Sequence, residues 1–252
     1  MCRDCGCSIT DHEHSHEHKH HHNHHHTNPS LTDKKTVEVL TKILDENDRQ
    51  ANSNREHFDE HGILAVNLMS SPGAGKTTLL EKTIELLGDE LRIGVIEGDL
   101  ETNRDADRIR AKGVPAHQIT TGQACHLDAF MVHEGIHHLP LEELDIVFIE
   151  NVGNLVCPAS YDIGTHVNVV LLSTTEGDDK PEKYPVMFRS AELMLITKID
   201  LLPYMDFELE KAIRSVRKVN PKIDIIKLSS KSEEGMDMWL DFLRSKLRMR
   251  AI

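Results

Sequence analysis

Ser70-Ser71-Pro72-Gly73-Ala74-Gly75-Lys76-Thr77, followed by Thr78, sits between an apolar run from Ile63 to Met69 and a stretch of helical periodicity over 76–87. A strand, a glycine-rich turn and a helix opened by Lys-Thr form the setting in which backbone wraps the phosphates of a nucleotide. Gly73 and Gly75 let successive N–H groups turn inward, and Pro72, Ala74 and Thr78 complete the cradle. Lys76 reaches toward the β and γ oxygens, and the Thr77 hydroxyl is placed to ligate Mg2+. The helix start adds the positive end of its dipole. The first glycine of the general pattern is replaced by Ser70, a small residue that the position accepts.

Beyond this loop, apolar strands alternate with amphipathic helices. Strands are predicted at 63–69, 92–97, 145–150, 167–172, 191–196 and 223–228. Helices are predicted at 33–60, 76–87, 103–112, 124–137, 206–219 and 233–247. In the first helix, Val37, Leu40, Ile43 and Leu44 share one face. The alternation predicts an α/β fold, a P-loop NTPase with a mostly parallel sheet covered by helices on both faces. No internal repeat is visible.

The base and the metal are read from the strand ends. Thr197-Lys198-Ile199-Asp200 closes the next-to-last predicted strand. Asp200 is placed to accept from both N1–H and the exocyclic amine of guanine. Adenine has no donor at N1 and would leave the carboxylate unpaired, at about 1–3 kcal/mol. The Lys198 stem can lie along the base, and Ser229 and Ser230 stand where a loop would meet the guanine carbonyl. The expected substrate is therefore GTP, released as GDP. Glu150-Asn151-Val152-Gly153 resembles a switch motif with Glu in place of Asp, so Glu150 is expected at Mg2+ and Gly153 at the nucleotide. Asp145 lies roughly 16 Å back along the same strand. Asp99, at the end of strand 92–97, is placed to orient water or to assist with Mg2+. Lys76, Asp99 and Glu150 make up the catalytic set. Arg104 and Arg108 read more simply as solvated helix residues than as arginine fingers.

The chain has 252 residues and a formal charge of −13 with His neutral. Such an acidic protein repels phosphate backbones, which argues against nucleic acid. No apolar run approaches a membrane span, and the first residues carry no stretch of signal-peptide length. The expected compartment is the cytoplasm, where thiols stay reduced. Five cysteines, an odd number, favour metal binding or reactivity over disulfides.

Two sets of soft ligands stand out. Cys2, Cys5 and Cys7 form Cys-x-x-Cys-Gly-Cys, which can wrap one metal ion. Behind them ten histidines lie within 12–26. Residues 1–30 are thus expected to be a disordered Cys/His-rich metal-binding tail, and 31–252 the nucleotide domain with its N-terminal helix. The tract's imidazoles would buffer or store metal and release it on protonation. Within the domain, Cys125-His126 and Cys157 have thiolate and imidazole donors suited to Zn2+ or Ni2+. Spacing alone leaves two readings open, a three-ligand site completed from elsewhere or two structural cysteines beside a surface histidine. His133 and His137, one helical turn apart, could bridge a metal or simply face solvent.

Taken together, these residues resemble the hydrogenase nickel-incorporation GTPases, the HypB family of SIMIBI-class P-loop GTPases. The resemblance rests on Cys-x-x-Cys-Gly-Cys, the His tract, the Ser70–Thr77 loop, Glu97-Gly98-Asp99-Leu100, Glu150-Asn151-Val152-Gly153-Asn154 with Cys157-Pro158-Ala159-Ser160, and Thr197-Lys198-Ile199-Asp200. It implies that Cys125, His126 and Cys157 form a Ni2+ or Zn2+ site beside the switch, near a GTP-dependent homodimer interface. It implies nickel delivery to the large subunit of [NiFe]-hydrogenase, with a zinc-binding accessory protein of the HypA type. Three other readings share the loop: a metallochaperone GTPase for urease or a cobalamin enzyme, a nickel store without turnover, and an ATPase.

Overall fold

The computed structural model describes residues 34–99 and 104–250. Cys2, Cys5, Cys7 and the histidine tract lie outside the described residues, and so do the expectations attached to them.

A first helix, α1 (Lys34–Glu60), leads into β1 (Leu64–Ser70), α2 (Lys76–Leu87), β2 (Ile93–Asp99), α3 (Arg104–Arg110) and β3 (Ala116–Thr120). Then follow α4 (Ala129–Ile136), β4 (Ile146–Glu150), β5 (Val167–Ser173), the short α5 (Lys180–Lys183) and α6 (Pro185–Ser190), β6 (Leu193–Thr197), α7 (Leu209–Val219), β7 (Asp224–Lys227) and α8 (Met236–Arg250). The seven strands form one sheet in the order β3-β2-β4-β1-β5-β6-β7, and every pairing is parallel. β1 and β4 are buried along their whole length, as expected of central strands covered on both faces.

Alternation along β1 shows how the two faces fill. Leu64, Val66 and Leu68 point to one side, against Leu79 and Leu80 of α2 and Trp239 and Leu243 of α8. Ala65 points to the other, where Phe58 of α1 and Val132 and Ile136 of α4 pack. Further along that second face, Val170 and Met194 meet Phe188 of α6 and Val216 of α7. Trp239 is fully buried, and its indole N–H donates to the Thr83 hydroxyl at 2.9 Å.

Three local differences from the sequence reading have physical causes. β3 was not foreseen: it is a half-exposed edge strand of mixed polarity, Ala-His-Gln-Ile-Thr, paired only with β2. The helix expected over 124–137 starts at Ala129, because the Asp128 side chain accepts from Met131 N and caps it there. That leaves Cys125 and His126 in the preceding loop. α1 forms as expected, yet Val37, Ile43 and Leu44 are exposed. Packing of α1 begins near Asn47, whose side chain donates to the Asp162 carbonyl and accepts from Ala129 N.

Candidate functional site: a phosphate loop joined to a thiol and imidazole cluster

The C-terminal ends of the central parallel strands are where an open α/β sheet leaves a crevice. Here a cavity of about 450 Å3 opens between the β1–α2 loop and the ends of β2 and β4. Its lining includes Gly73, Gly75, Lys76, Thr77, Asp99 and Glu150. Gly75 precedes α2 with φ +98°, backbone that a side chain would strain. A Cβ on Gly153, after β4, would stand 3.0 Å from the Pro72 backbone, a tight approach that would push the two segments apart. The switch-like segment thus rests directly on the phosphate loop.

Lys76 and Thr77 are buried in this cradle. The Lys76 ammonium donates to the Ser70 hydroxyl at 3.1 Å and lies 3.9 Å from Glu150 Oε1. Thr77 Oγ1 donates to the same Glu150 oxygen at 2.9 Å. Strand register explains what stands beside Glu150: it pairs across the sheet with Glu97, so both carboxylates point to one side. Asp105 of α3 joins them, and one oxygen from each of the three lies within 4.8 Å of the others. Burial, followed by repulsion from Glu150, pushes the Glu97 carboxyl up to about 8. Burial also pushes Glu150 up to about 7, against the opposing pull of Lys76 and the Thr77 hydrogen bond. Each of the two has a buried oxygen without a hydrogen-bond partner. Stacking like charges in a buried site is costly unless a cation arrives. The donor set, a hydroxyl and hard carboxylates beside a phosphate loop, fits Mg2+.

Glu97 and Asp105 were missed in the sequence. Asp99 was preferred at the end of β2, and it does line the cavity. The usable signal was the pairing of two strand ends, which spacing along one chain does not display. Arg108 binds Glu81 and Asp105 at 2.6 and 2.8 Å, and it also lines the cavity. Asp145 pairs with Arg92 at the opposite end of β4.

The Thr197–Asp200 segment is fastened to the phosphate loop. Thr197 Oγ1 donates to the Ala74 carbonyl at 2.8 Å, and the Lys198 ammonium to the Gly73 carbonyl at 2.7 Å. Ser229 Oγ donates to Asp200 Oδ1 at 2.7 Å while accepting from the backbone N–H groups of Lys231 and Ser232. Ser230 is the next residue of that loop. Asp200 is thereby held by a hydroxyl that is itself oriented by two amides.

The second cluster lies at the other side of the switch segment. The Cys125 and Cys157 sulfurs are 2.9 Å apart, although 32 residues separate them in sequence. One ligand atom of Cys125, His126 and Cys157 lies within 4.8 Å of the others. Cys157 and His126 are buried. Burial keeps the His126 imidazole below its usual pKa, so it is neutral near pH 7, and its ring stacks on Tyr161 with centroids 4.1 Å apart. Tyr161 was not singled out in the sequence. The Asn154 amide donates to the Cys125 carbonyl at 3.3 Å. Asn151 accepts from Leu127 N at 3.2 Å and donates to Asn67 of β1. The loop after Glu150 is therefore bonded both to the strand that carries the phosphate loop and to the segment that carries Cys125 and His126.

A parallel sheet with this phosphate loop at its centre, and the Thr197–Asp200 segment bonded to that loop, has the architecture of a P-loop GTPase. Residues 64–227 match the family described as CobW/HypB/UreG, nucleotide-binding domain. The hydrogenase maturation factor HypB of Escherichia coli (strain K12) is 52% identical over 218 residues, which cover 86% of this chain and 75% of that protein. The hydrogenase/urease maturation factor HypB of Helicobacter pylori is 46% identical over 226 residues, 88% of this chain and 92% of its own. The crystal structure of HypB from Helicobacter pylori in complex with nickel superposes with a TM-score of 0.78 at 45% identity, covering 81% of this chain and 96% of that one. The chain belongs to the HypB family of hydrogenase maturation GTPases. Among the described residues, no helix is long and apolar enough to cross a membrane.

Proposed function

We propose that this protein couples hydrolysis of GTP to GDP and phosphate with the handling of a nickel ion at Cys125, His126 and Cys157, and passes that ion toward the large subunit of [NiFe]-hydrogenase. The observation that carries the reading is the hydrogen-bonded continuity from Glu150 through Asn151 and Asn154 to Cys125. Nickel is the cargo, and two thiolates with one imidazole suit a borderline ion. Zn2+ would satisfy the same donors. Three ligands leave the ion open to a further donor, which suits transfer to a zinc-binding accessory protein of the HypA type or sharing across a GTP-dependent homodimer. The reducing cytosol keeps both thiols competent.

In the nucleotide site, amides of Pro72 to Thr78 cradle the phosphates and Lys76 neutralises charge that develops on the transferring group. Lys198 and Asp200, steadied by Ser229 and Ser230, read guanine. Thr77 and Glu150 would hold Mg2+ together with Asp99, Glu97 or Asp105, and Mg2+ there would supply charge stabilisation for the transferring phosphoryl group. Asp99 and Glu150 orient the attacking water, and Gly153 lets the switch segment close on Pro72. Because that segment also bears Cys157, its position sets the geometry of the thiol pair, and nucleotide and metal affinities become reciprocal. The histidine tract and the Cys2, Cys5 and Cys7 set add storage capacity. The test is nickel affinity measured with GDP and with a non-hydrolysable GTP analogue. A difference between the two states is expected, and equal affinities would defeat the coupling.

A further inference from the structure

Four histidines gather where the end of α1 meets α4, away from the residues assigned above. His57 and His61 are four residues apart, as are His133 and His137. Ring centroids lie 5.1 Å apart for His57 and His61, 5.8 Å for His57 and His137, and 4.6 Å for His133 and His137. The Nε2 atoms of His133 and His137 face each other at 3.2 Å.

Hydrogen bonds fix where the protons sit. Asn54 is fully buried, and its amide donates to the carbonyls of Ala129 and Ile163 at 2.7 and 3.2 Å. Its Oδ1 is thereby turned to His133 Nδ1 at 3.1 Å. That oxygen has no proton to give, so Nδ1 donates and the His133 Nε2 lone pair points into the cluster. His61 Nδ1 lies 2.9 Å from the His57 carbonyl, and the same argument bares its Nε2. An oxygen holding the remote ring N–H is the usual outer support of a metal-bound imidazole. Two nitrogens bound at about 2.1 Å with a tetrahedral angle would stand about 3.4 Å apart, close to the spacing of the α4 pair. His57 is kept neutral near pH 7 by burial and by the neighbouring rings of His61 and His137. A cavity of about 300 Å3 beside the cluster, with Glu142 and Glu143 among its lining residues, leaves room for an ion to enter. A merely solvated helix face would leave these rings free to turn; the buried Asn54 does not.

We infer that His133 and His137 form a second divalent-cation site, a two-imidazole site taking a borderline ion of the zinc and nickel class through Nε2. It is an imidazole site, separate in ligands from the thiol pair and carried on the helix that begins three residues after His126.

The test is histidine acylation by diethyl pyrocarbonate on the full chain, read residue by residue by mass spectrometry with and without Zn2+, so that tail histidines report separately. His133 and His137 become protected together as Zn2+ is added. In His137→Ala, an exposed position that spares the fold and the nucleotide site, half-protection of His133 requires at least about tenfold more Zn2+, since even outer-shell losses cost that much. In Cys125→Ser the protection persists. Equal labelling with and without Zn2+, unchanged protection of His133 in His137→Ala, or loss of protection in Cys125→Ser would each overturn the inference.

Discussion

Asn154 donates its side-chain amide to the carbonyl of Cys125, across 29 residues of sequence and between the two halves of the site. This bond ties the segment that follows Glu150 to the segment that presents a thiol. Substitution Asn154→Ala should therefore leave nickel binding and GTP hydrolysis individually present while shrinking the difference in nickel affinity between GDP-bound and GTP-analogue-bound protein. Coupling of this kind is typically about 1–3 kcal/mol, or 5–150-fold in affinity, so a several-fold reduction is measurable by calorimetry in the two states. An unchanged ratio would place the coupling elsewhere.

The proposed base-reading loop gives a second expectation. Ser229 is the donor that holds Asp200 Oδ1. Ser229→Ala removes one hydrogen bond to a carboxylate, worth about 1.5 kcal/mol or more, which converts to roughly tenfold or more weaker GDP binding. Preference for GTP over ATP in competition should also narrow, because a less firmly placed Asp200 discriminates less. Hydrolysis at saturating GTP should change little. A variant with intact affinity would mean that the backbone alone positions Asp200.

How much of this was visible in the sequence depends on how local each signal is. The Ser70–Thr77 loop and the order of strands and helices were legible because glycine placement, Lys-Thr and apolar runs are written within a few consecutive residues. Thr197 to Asp200 was legible for the same reason. The Glu97–Glu150 pairing was not, since it arises from strand register between β2 and β4. The union of Cys125 with Cys157 could be suggested only by resemblance; the chain brings them together through the return of the loop after β4. β3 escaped because an edge strand of mixed polarity lacks an apolar run. His57 was invisible as a neighbour of His137 because α1 packs on α4 across some eighty residues of sequence.

Lys76 tests the phosphate cradle directly. Its ammonium touches Ser70 and faces Glu150, and a charge in that place is worth most when the transition state spreads negative charge over the γ oxygens. Lys76→Ala should lower the hydrolysis rate about a hundredfold or more, measured by phosphate release with Mg2+ present. Nickel binding at the thiol pair in the nucleotide-free protein should survive. Undiminished phosphate release would show that turnover in the preparation does not arise from this loop.

Glu97 yields a prediction in pH. Its carboxyl titrates at about 8 and that of Glu150 at about 7 in the folded chain, against an ordinary value of 4.5. Between those limits the folded state holds more protons than the unfolded state, so folding stability falls as pH rises through the window. The contribution is fully present below about pH 4.5 and is lost progressively up to about pH 8. Glu97→Gln removes the larger of the two shifts while keeping the shape. It should stabilise the nucleotide-free, magnesium-free protein by up to a few kcal/mol near pH 8 and by almost nothing near pH 5, an order-of-magnitude expectation. Mg2+ with GDP offsets the same carboxylates, so its stabilising effect on the unsubstituted protein should grow from about pH 6 to about pH 8 and should be smaller in Glu97→Gln. Denaturant unfolding at several pH values checks both. Parallel pH profiles in the two proteins would mean that Glu97 is already ionised without a cation, so that burial beside Glu150 does not hold its proton.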